Sequence, residues 1–416
     1  MTRHWKAALL VGALLTAPTV THAEGGDDAG AAIHERVLVL DSHADVLLPS
    51  TPKRYYLDGR ESRVDLPHLS KGGVDAIVLA VAVGPGPRDA AGVAAARREA
   101  DEKLARIKAF AAADTSRVGI ALGAADVERL NREGKIAVLV AFQNARSIGK
   151  DLTQIDRLYG EGVRVFAFDH AGHNDFADSS RPQPGEPVTE HRGLSPLGKH
   201  AITKLNDLGV LIDVSQLSTD ALLQTLALSR APVAATHSAA RALVDNGRNL
   251  SDAELDAIKA KGGVVQITPF TSYLTLPDQA SRDRFAAIRA SYGLAADYAS
   301  TYDGSEALPE ARRSAYLDEI SAARTKASLS DFVDHIDYIA KRIGWQHVGI
   351  GSDFDHGAGV TGFDSAADAP NVTRELLRRG YSEEQVAAIW GGNFLRVLRA
   401  AEDAKAVKGE KLKSIS

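Results

Sequence analysis

The chain has 416 residues, 49 basic against 54 acidic side chains, and a formal charge of −5, with its basic residues scattered along the sequence. Nucleic acid is therefore excluded as a natural partner, because phosphate binding wants a concentrated basic face. Cysteine is absent, which removes disulfides, thiolate metal sites, cysteine nucleophiles and lipidated cysteine from consideration.

Residues 1–23, MTRHWKAALLVGALLTAPTVTHA, begin with Arg3, His4 and Lys6, continue in a short apolar run and end in small residues, the pattern of an export signal. That run is too short to span a bilayer, and no later stretch approaches the roughly 20 apolar residues that spanning takes. A periplasmic or secreted, soluble chain with no membrane anchor is the expectation. Residues 24–35, opening EGGDDAGA, read as a flexible lead-in. The polar tail over 406–416 carries no hydrophobic anchor signal.

Between these ends, apolar and β-branched runs recur at 37–40, 76–83, 136–142, 163–168, 210–214, 233–236, 264–268 and 348–352. Continuous apolar runs suit parallel strands buried on both faces. The segments between them open with helix signals: Ser195 with Pro196, Ser251 with Glu254, Ser382 with Gln385. Strand and helix alternating eight times predict an α/β fold, a single (β/α)8 TIM barrel over 36–405, and a barrel with insertions can reach this length. An open doubly wound sheet is the alternative, but it usually carries a glycine-rich phosphate loop after its first strand, where DSHAD stands here. Residues 275–330 read as a charged helical insertion.

In a barrel, side chains at the C-terminal strand ends converge on one mouth. His43 and Asp45 lie two apart, so both point to one side of an extended chain and can bind one cation through nitrogen and oxygen, as zinc prefers. Asp353, after the last strand, lies beside the first in a closed barrel and can serve as ligand, as general base, or as both. His237, after VAAT, reads equally as ligand or as a hydrogen-bonding pocket residue. His170, in FDHAGHNDFAD, is placed to polarise a substrate carbonyl, with His173 a less certain neighbour. Arg248 precedes a helix and can meet a carboxylate with two parallel hydrogen bonds. Phe270 and Tyr273 read as pocket lining or as core, and the remaining histidines, His335 and His347 among them, as structural.

These residues sit within segments that resemble the renal-type (membrane) dipeptidases, peptidase family M19 of the amidohydrolase superfamily. DSHAD, DLPHLSKGGV, the DH of FDHAGHNDFADSS, GLSPLGK, LNDLGVLIDVSQLS, SRAPVAATHSAAR, RNLSDAEL and GIGSDFD carry the likeness in order, over nearly the whole chain. The resemblance implies a (β/α)8 barrel with a binuclear zinc site that hydrolyses dipeptides and tolerates D-residues on the C-terminal side. It implies that His43, Asp45 and Asp353 serve the first metal and His237 the second. It further implies that His170 binds substrate and that Arg248 holds the dipeptide carboxylate.

Two positions depart from the family pattern. The bridging glutamate falls on Gln143, and the other histidine of the second metal falls on Gln216. A neutral amide is a poor bridge between two cations, because it removes a negative charge that offsets their repulsion. The expectation is one zinc ion, with the second site weak or empty, in a hydrolase of dipeptides or related small amides. The alternative is a non-hydrolytic periplasmic binding or maturation protein that uses the same pocket for a small peptide-like ligand. The sequence leaves a homodimer open.

Overall fold

The computed structural model describes residues 25–57, 61–296, 301 and 304–405. Nine strands form among them: β1 (Leu40–Asp45), β2 (Ala76–Ala82), β3 (Val118–Ile120), β4 (Ile136–Gln143), β5 (Val163–Ala167), β6 (Leu211–Asp213), β7 (Ala234–Ser238), β8 (Val264–Ile267) and β9 (Val348–Ile350). Eight of them pair in the order β1-β2-β4-β5-β6-β7-β8-β9, every pair parallel, and β3 flanks β4. Helices follow the strands around the outside, and the fold is a (β/α)8 barrel.

Both faces of the sheet are buried, which is why its strands read as unbroken apolar runs. Along β2, Ala76, Val78, Ala80 and Ala82 belong to one apolar cluster, and Ile77, Leu79 and Val81 to another. Along β4, the row Ala137, Leu139, Ala141 lies in the first cluster, and strand alternation carries that row on to Gln143. Small side chains line this face, as a narrow barrel interior requires.

The barrel closes where β1 meets the chain after β9. Asp353 N donates to His43 O (2.7 Å) and Asp45 N donates to Phe354 O (2.9 Å). Below them the buried carboxylate of Asp41 accepts from Ser352 N (2.8 Å) and Ser352 Oγ (2.5 Å). Burial pushes the pKa of Asp41 up to about 6, against these hydrogen bonds. Gly351 leaves room at this seam: a Cβ there would stand 2.0 Å from Thr236 O of β7 and 2.6 Å from Ser42 Oγ of β1.

Several expectations shift. The first strand begins at Leu40 rather than at residue 37 and runs through DSHAD itself, because Leu40 and Asp45 pair with Ala76 and Ala80 of β2. β3, a three-residue strand, is an addition too short to stand out as an apolar run. The flexible lead-in expected over 24–35 is instead a helix, Gly25–Arg36. It is held from within the core, where the buried His34 bonds Thr373 Oγ1 (2.6 Å) through Nδ1 and Gly72 O (2.8 Å) through Nε2. The expected export signal and polar tail lie outside the described residues.

The helix signals are realised. Ser195 caps the helix Pro196–Leu208, and Ser251 with Glu254 and Ser382 with Gln385 form capping boxes. Within 275–330, the helices Gln279–Ser291 and Glu310–Ala323 pack on each other through Phe285, Tyr316, Leu317 and Ile320. None of the described helices is long and apolar enough to cross a membrane.

Gly351→Ala is expected to destabilise the fold by about 1–3 kcal/mol or more through overpacking at the closing seam. Gly160→Ala, at a helix end with nothing within 4 Å of the new methyl, serves as the control and should be neutral or slightly stabilising. Urea unfolding of the two variants checks this, and equal midpoints would show that the seam yields freely.

Candidate metal centre

The strand ends bring the expected residues to one mouth. β1 delivers His43 and Asp45, β4 ends in Gln143, and β7 carries His237, while His170, Gln216 and Asp353 stand just beyond β5, β6 and β9. His43 Nε2 lies 3.9 Å from Asp45 Oδ1 and 3.9 Å from Asp353 Oδ1. Ligand atoms of the three all fall within 4.8 Å of one another. Each of these side chains is buried, and His43 Nε2 and Asp45 Oδ1 have no hydrogen-bond partner among the described residues. Buried polar atoms without partners are rare. One imidazole lone pair and two carboxylates facing one point suit a divalent cation such as zinc.

A single hydroxyl prepares the imidazoles. Thr236 Oγ1 donates to Asp213 Oδ2 (2.6 Å) and lies 3.3 Å from His43 Nδ1 and 2.9 Å from His237 Nδ1. With its proton given to Asp213, this oxygen can only accept, so the network assigns a hydrogen to Nδ1 of both rings. Both Nε2 atoms then carry lone pairs. The rings stack with centroids 3.9 Å apart.

The two lone pairs meet different fates. That of His43 faces the two carboxylates, whereas that of His237 faces two amides: Gln143 Nε2 and Gln216 Nε2 each lie 3.2 Å away. The orientation of Gln216 is fixed independently, because its Oε1 accepts from Ala171 N (2.9 Å). Burial holds the pKa of His237 well below its ordinary value, with the nearby His43 adding to the effect, so this ring is a neutral acceptor. Atoms of His43, Asp213 and His237 also cluster within 4.8 Å. The Asp213 oxygens, however, already accept from Ser215 N (2.8 Å), Thr236 N (3.0 Å) and Thr236 Oγ1. The second half of the site is thus tied up by hydrogen bonds internal to the protein.

His170 lies beside the centre. Its Nδ1 faces the carbonyl of Val83 (2.9 Å), an acceptor only, so the proton sits on Nδ1 and Nε2 is bare. Burial drives its pKa well down. In this arrangement His170 accepts rather than donates, and polarising a carbonyl requires a proton from elsewhere. That proton is at hand on His356, whose Nε2 lies 3.0 Å from His170 Nε2 and whose Nδ1 lies 2.7 Å from Asp45 Oδ2. Both nitrogens of His356 face acceptors, so its ring donates twice, as an imidazolium. Burial opposes that charge, but the Asp45 carboxylate, reinforced by Asp353, raises the pKa of His356. The two acids diverge in turn. For Asp45, burial is overridden by His356 and the pKa falls far into the acid range; for Asp353, burial prevails and the pKa rises.

The reading of the remaining histidines as structural therefore fails at His356. The reasoning that selected His43 and Asp45 applies to it equally, since it follows a strand end within DFDH. The structural reading describes His335, which bonds Ala240 N and Leu274 O, and His347, which bonds Gly263 O, while His173, expected as a less certain neighbour of His170, is engaged by Ser179 N and Pro187 O. Thr236 and Asp213 were not singled out in the sequence, and only their cross-strand neighbours reveal their roles.

Arg248 is 3% exposed, donates from one terminal nitrogen to His237 O (3.1 Å), and lies over the Tyr273 ring at 5.2 Å. Its Nε has no hydrogen-bond partner, and among the described residues no carboxylate pairs with it. Tyr273, stacked on Phe270 with centroids 4.6 Å apart, is both core and support for this guanidinium.

Backbone strain gathers at the same mouth. Asn144, Ala171, Gln216, Asp353 and Asp355 all have φ between 51° and 80°. Such left-handed, non-glycine residues cost about 1–3 kcal/mol each and collect at functional sites.

Among solved structures, the probable dipeptidase PvdM from Pseudomonas aeruginosa is 38% identical to this chain, with a TM-score of 0.83 over 92% of this chain and 100% of that one. A metallopeptidase from Rhodobacter sphaeroides, liganded with a phosphinate mimic of the dipeptide L-Ala-D-Ala, shares the fold at 22% identity and a TM-score of 0.68, over 88% of this chain and 99% of its own. Among curated proteins, dipeptidase tcpJ of Claviceps purpurea (strain 20.1) is 32% identical over 70% of this chain and 57% of its own length. Dipeptidase 3 of Macaca fascicularis is 29% identical over 67% of this chain and 48% of its own. The chain thus spans about half the length of the curated relatives it matches. The sequence profile of the membrane dipeptidase family, peptidase family M19, matches residues 28–411, and the chain belongs to that family.

Proposed function

We propose that the protein is an exported hydrolase of dipeptides or related small amides that works with one zinc ion. The observation that carries this reading is the pair of buried, partnerless atoms, His43 Nε2 and Asp45 Oδ1, with His43 Nε2 3.9 Å from both Asp45 Oδ1 and Asp353 Oδ1. His43, Asp45 and Asp353 would hold the ion, which when bound supplies an acidified water and a Lewis-acidic position. Asp353, the more basic of the two carboxylates, is the group to take a proton from the attacking water. Arg248 offers its buried, carboxylate-free guanidinium to the substrate's C-terminal carboxylate. His170 contacts the substrate beside the scissile bond, using the proton that His356 holds between the two rings. Neutral Gln143 and Gln216 leave the second position without charge and with its one imidazole already engaged.

Elemental analysis of the purified protein should find about one metal ion per chain, and added zinc should support turnover on a dipeptide panel. No metal together with no turnover on any dipeptide, ester or lactone would favour the non-hydrolytic alternative.

Asp353→Asn should lower kcat by at least about 100-fold, the usual weight of a general base, with the unfolding midpoint of the metal-free protein unchanged. Retention of most of the activity would refute its assignment.

Gln143→Glu combined with Gln216→His should raise bound metal from about one ion to about two, because it restores a charged bridge and frees the His237 lone pair. An unchanged count would mean that the second position is closed by packing rather than by chemistry.

A further inference from the structure

His356 is assigned no role in the reading above beyond a proton held near His170, yet it touches both halves of the centre. Its side chain is 28% exposed, against 2%, 4% and 5% for His43, Asp45 and Asp353, so solvent meets it before it meets the other three. The ring is backed by Tyr55, stacked at 5.4 Å with an interplanar angle of 7°. The loop that presents it is anchored by Asp355, which accepts from Ser62 Oγ (2.5 Å) and Arg63 N (2.8 Å). Held on both sides, the ring has little freedom to leave its two contacts.

We propose that His356 is a positioning residue of the metal centre. It clamps Asp45 as a one-oxygen ligand through Nδ1 and holds His170 over the centre through Nε2. The inference rests on the one-zinc reading and deepens it. Asp45 has two oxygens and only one can be spared: Oδ2 is taken by His356 at 2.7 Å, and Oδ1, without a partner, turns to the cation position. Without the clamp, the carboxylate is free to rotate or to chelate with both oxygens, and the donor set that matches His43 and Asp353 is lost. Groups that orient ligands in this way typically account for about 10–100-fold in metal affinity. The second contact acts on the substrate side. His356 holds its Nε2 proton against His170 Nε2, and a substrate oxygen can enter only as that proton passes to His170, which leaves the Nδ1 contact of His356 with Asp45 intact.

The two contacts can be separated, because the amide nitrogen of asparagine stands near the place of Nδ1 and that of glutamine near Nε2. Zinc affinity would be measured at fixed pH by competition with a chromophoric chelator, on the full chain as purified. His356→Ala should weaken zinc binding by about 10–100-fold. His356→Asn, which keeps a donor for Asp45, should recover most of that loss, and His356→Gln should not. In steady-state assays His356→Gln should lie closer to wild type in KM than His356→Ala, because it still reaches His170. Equal unfolding midpoints of the metal-free proteins separate clamping from general stability, and should His356→Ala not fold, the Asn and Gln pair carries the comparison alone. Wild-type zinc affinity in His356→Ala, or rescue by Gln as complete as by Asn, overturns the clamp while leaving the one-zinc reading in place. A wild-type protein that binds no zinc overturns both.

Discussion

A barrel of eight strands must bring its last strand back to its first, and here the carboxylate of Asp41 makes that join, reaching across to the backbone and the hydroxyl of Ser352. One turn of the pleat further on, His43 and Asp45 exchange backbone hydrogen bonds with Asp353 and Phe354. The atoms that shut the barrel and the atoms that face the cation position therefore belong to the same residues. Ligand geometry inherits the rigidity of the sheet, so a site assembled from positions about 310 residues apart in sequence behaves as a local one. The glycine at 351 belongs to the same arrangement, since a methyl there would collide with Thr236 O of β7 and crowd Ser42 Oγ of β1.

Thr236 then links the two halves of the mouth. By giving its proton to Asp213 it sets the tautomers of His43 and His237 together and leaves a lone pair on each. What differs between the halves is the charge that meets those lone pairs. Two carboxylates confront His43, and two amides confront His237. An amide N–H satisfies an imidazole lone pair, so the second half has its acceptor met within the protein, whereas the first leaves buried acceptors facing one another. The asymmetry follows from two glutamines and needs no change in the backbone.

Much of this was legible in the sequence because parallel strands buried on both faces leave unbroken apolar runs, and seven of the eight barrel strands overlap such runs well, while β1 shares only Leu40 with its run and continues through DSHAD. The spacing of His43 and Asp45 was legible for the same reason, since strand alternation is rigid. The unread parts depend on contacts between segments distant in sequence. The helix Gly25–Arg36 is polar and glycine-rich, and it is fixed by His34 reaching Thr373 and Gly72. The place of His356 depends on left-handed backbone at Asp353 and Asp355, which turns the loop back over Asp45. Aspartate tolerates that region better than most residues, but most aspartates do not occupy it, so the sequence does not say which one will. Thr236 is silent for a related reason: a threonine in a β-branched run looks like any strand residue until its cross-strand neighbours are known.

The left-handed residues around the mouth also bear on how such a protein can change over time. At Asn144, Gln216, Asp353 and Asp355 the backbone would rest more comfortably on glycine. Backbone stability alone would therefore favour replacing these side chains, of which Asp353 faces His43 and Gln216 meets His237, so steadiness and chemistry pull apart at this mouth. Four polar side chains thus stand at strained positions around one mouth, each held there by the contacts of the surrounding fold.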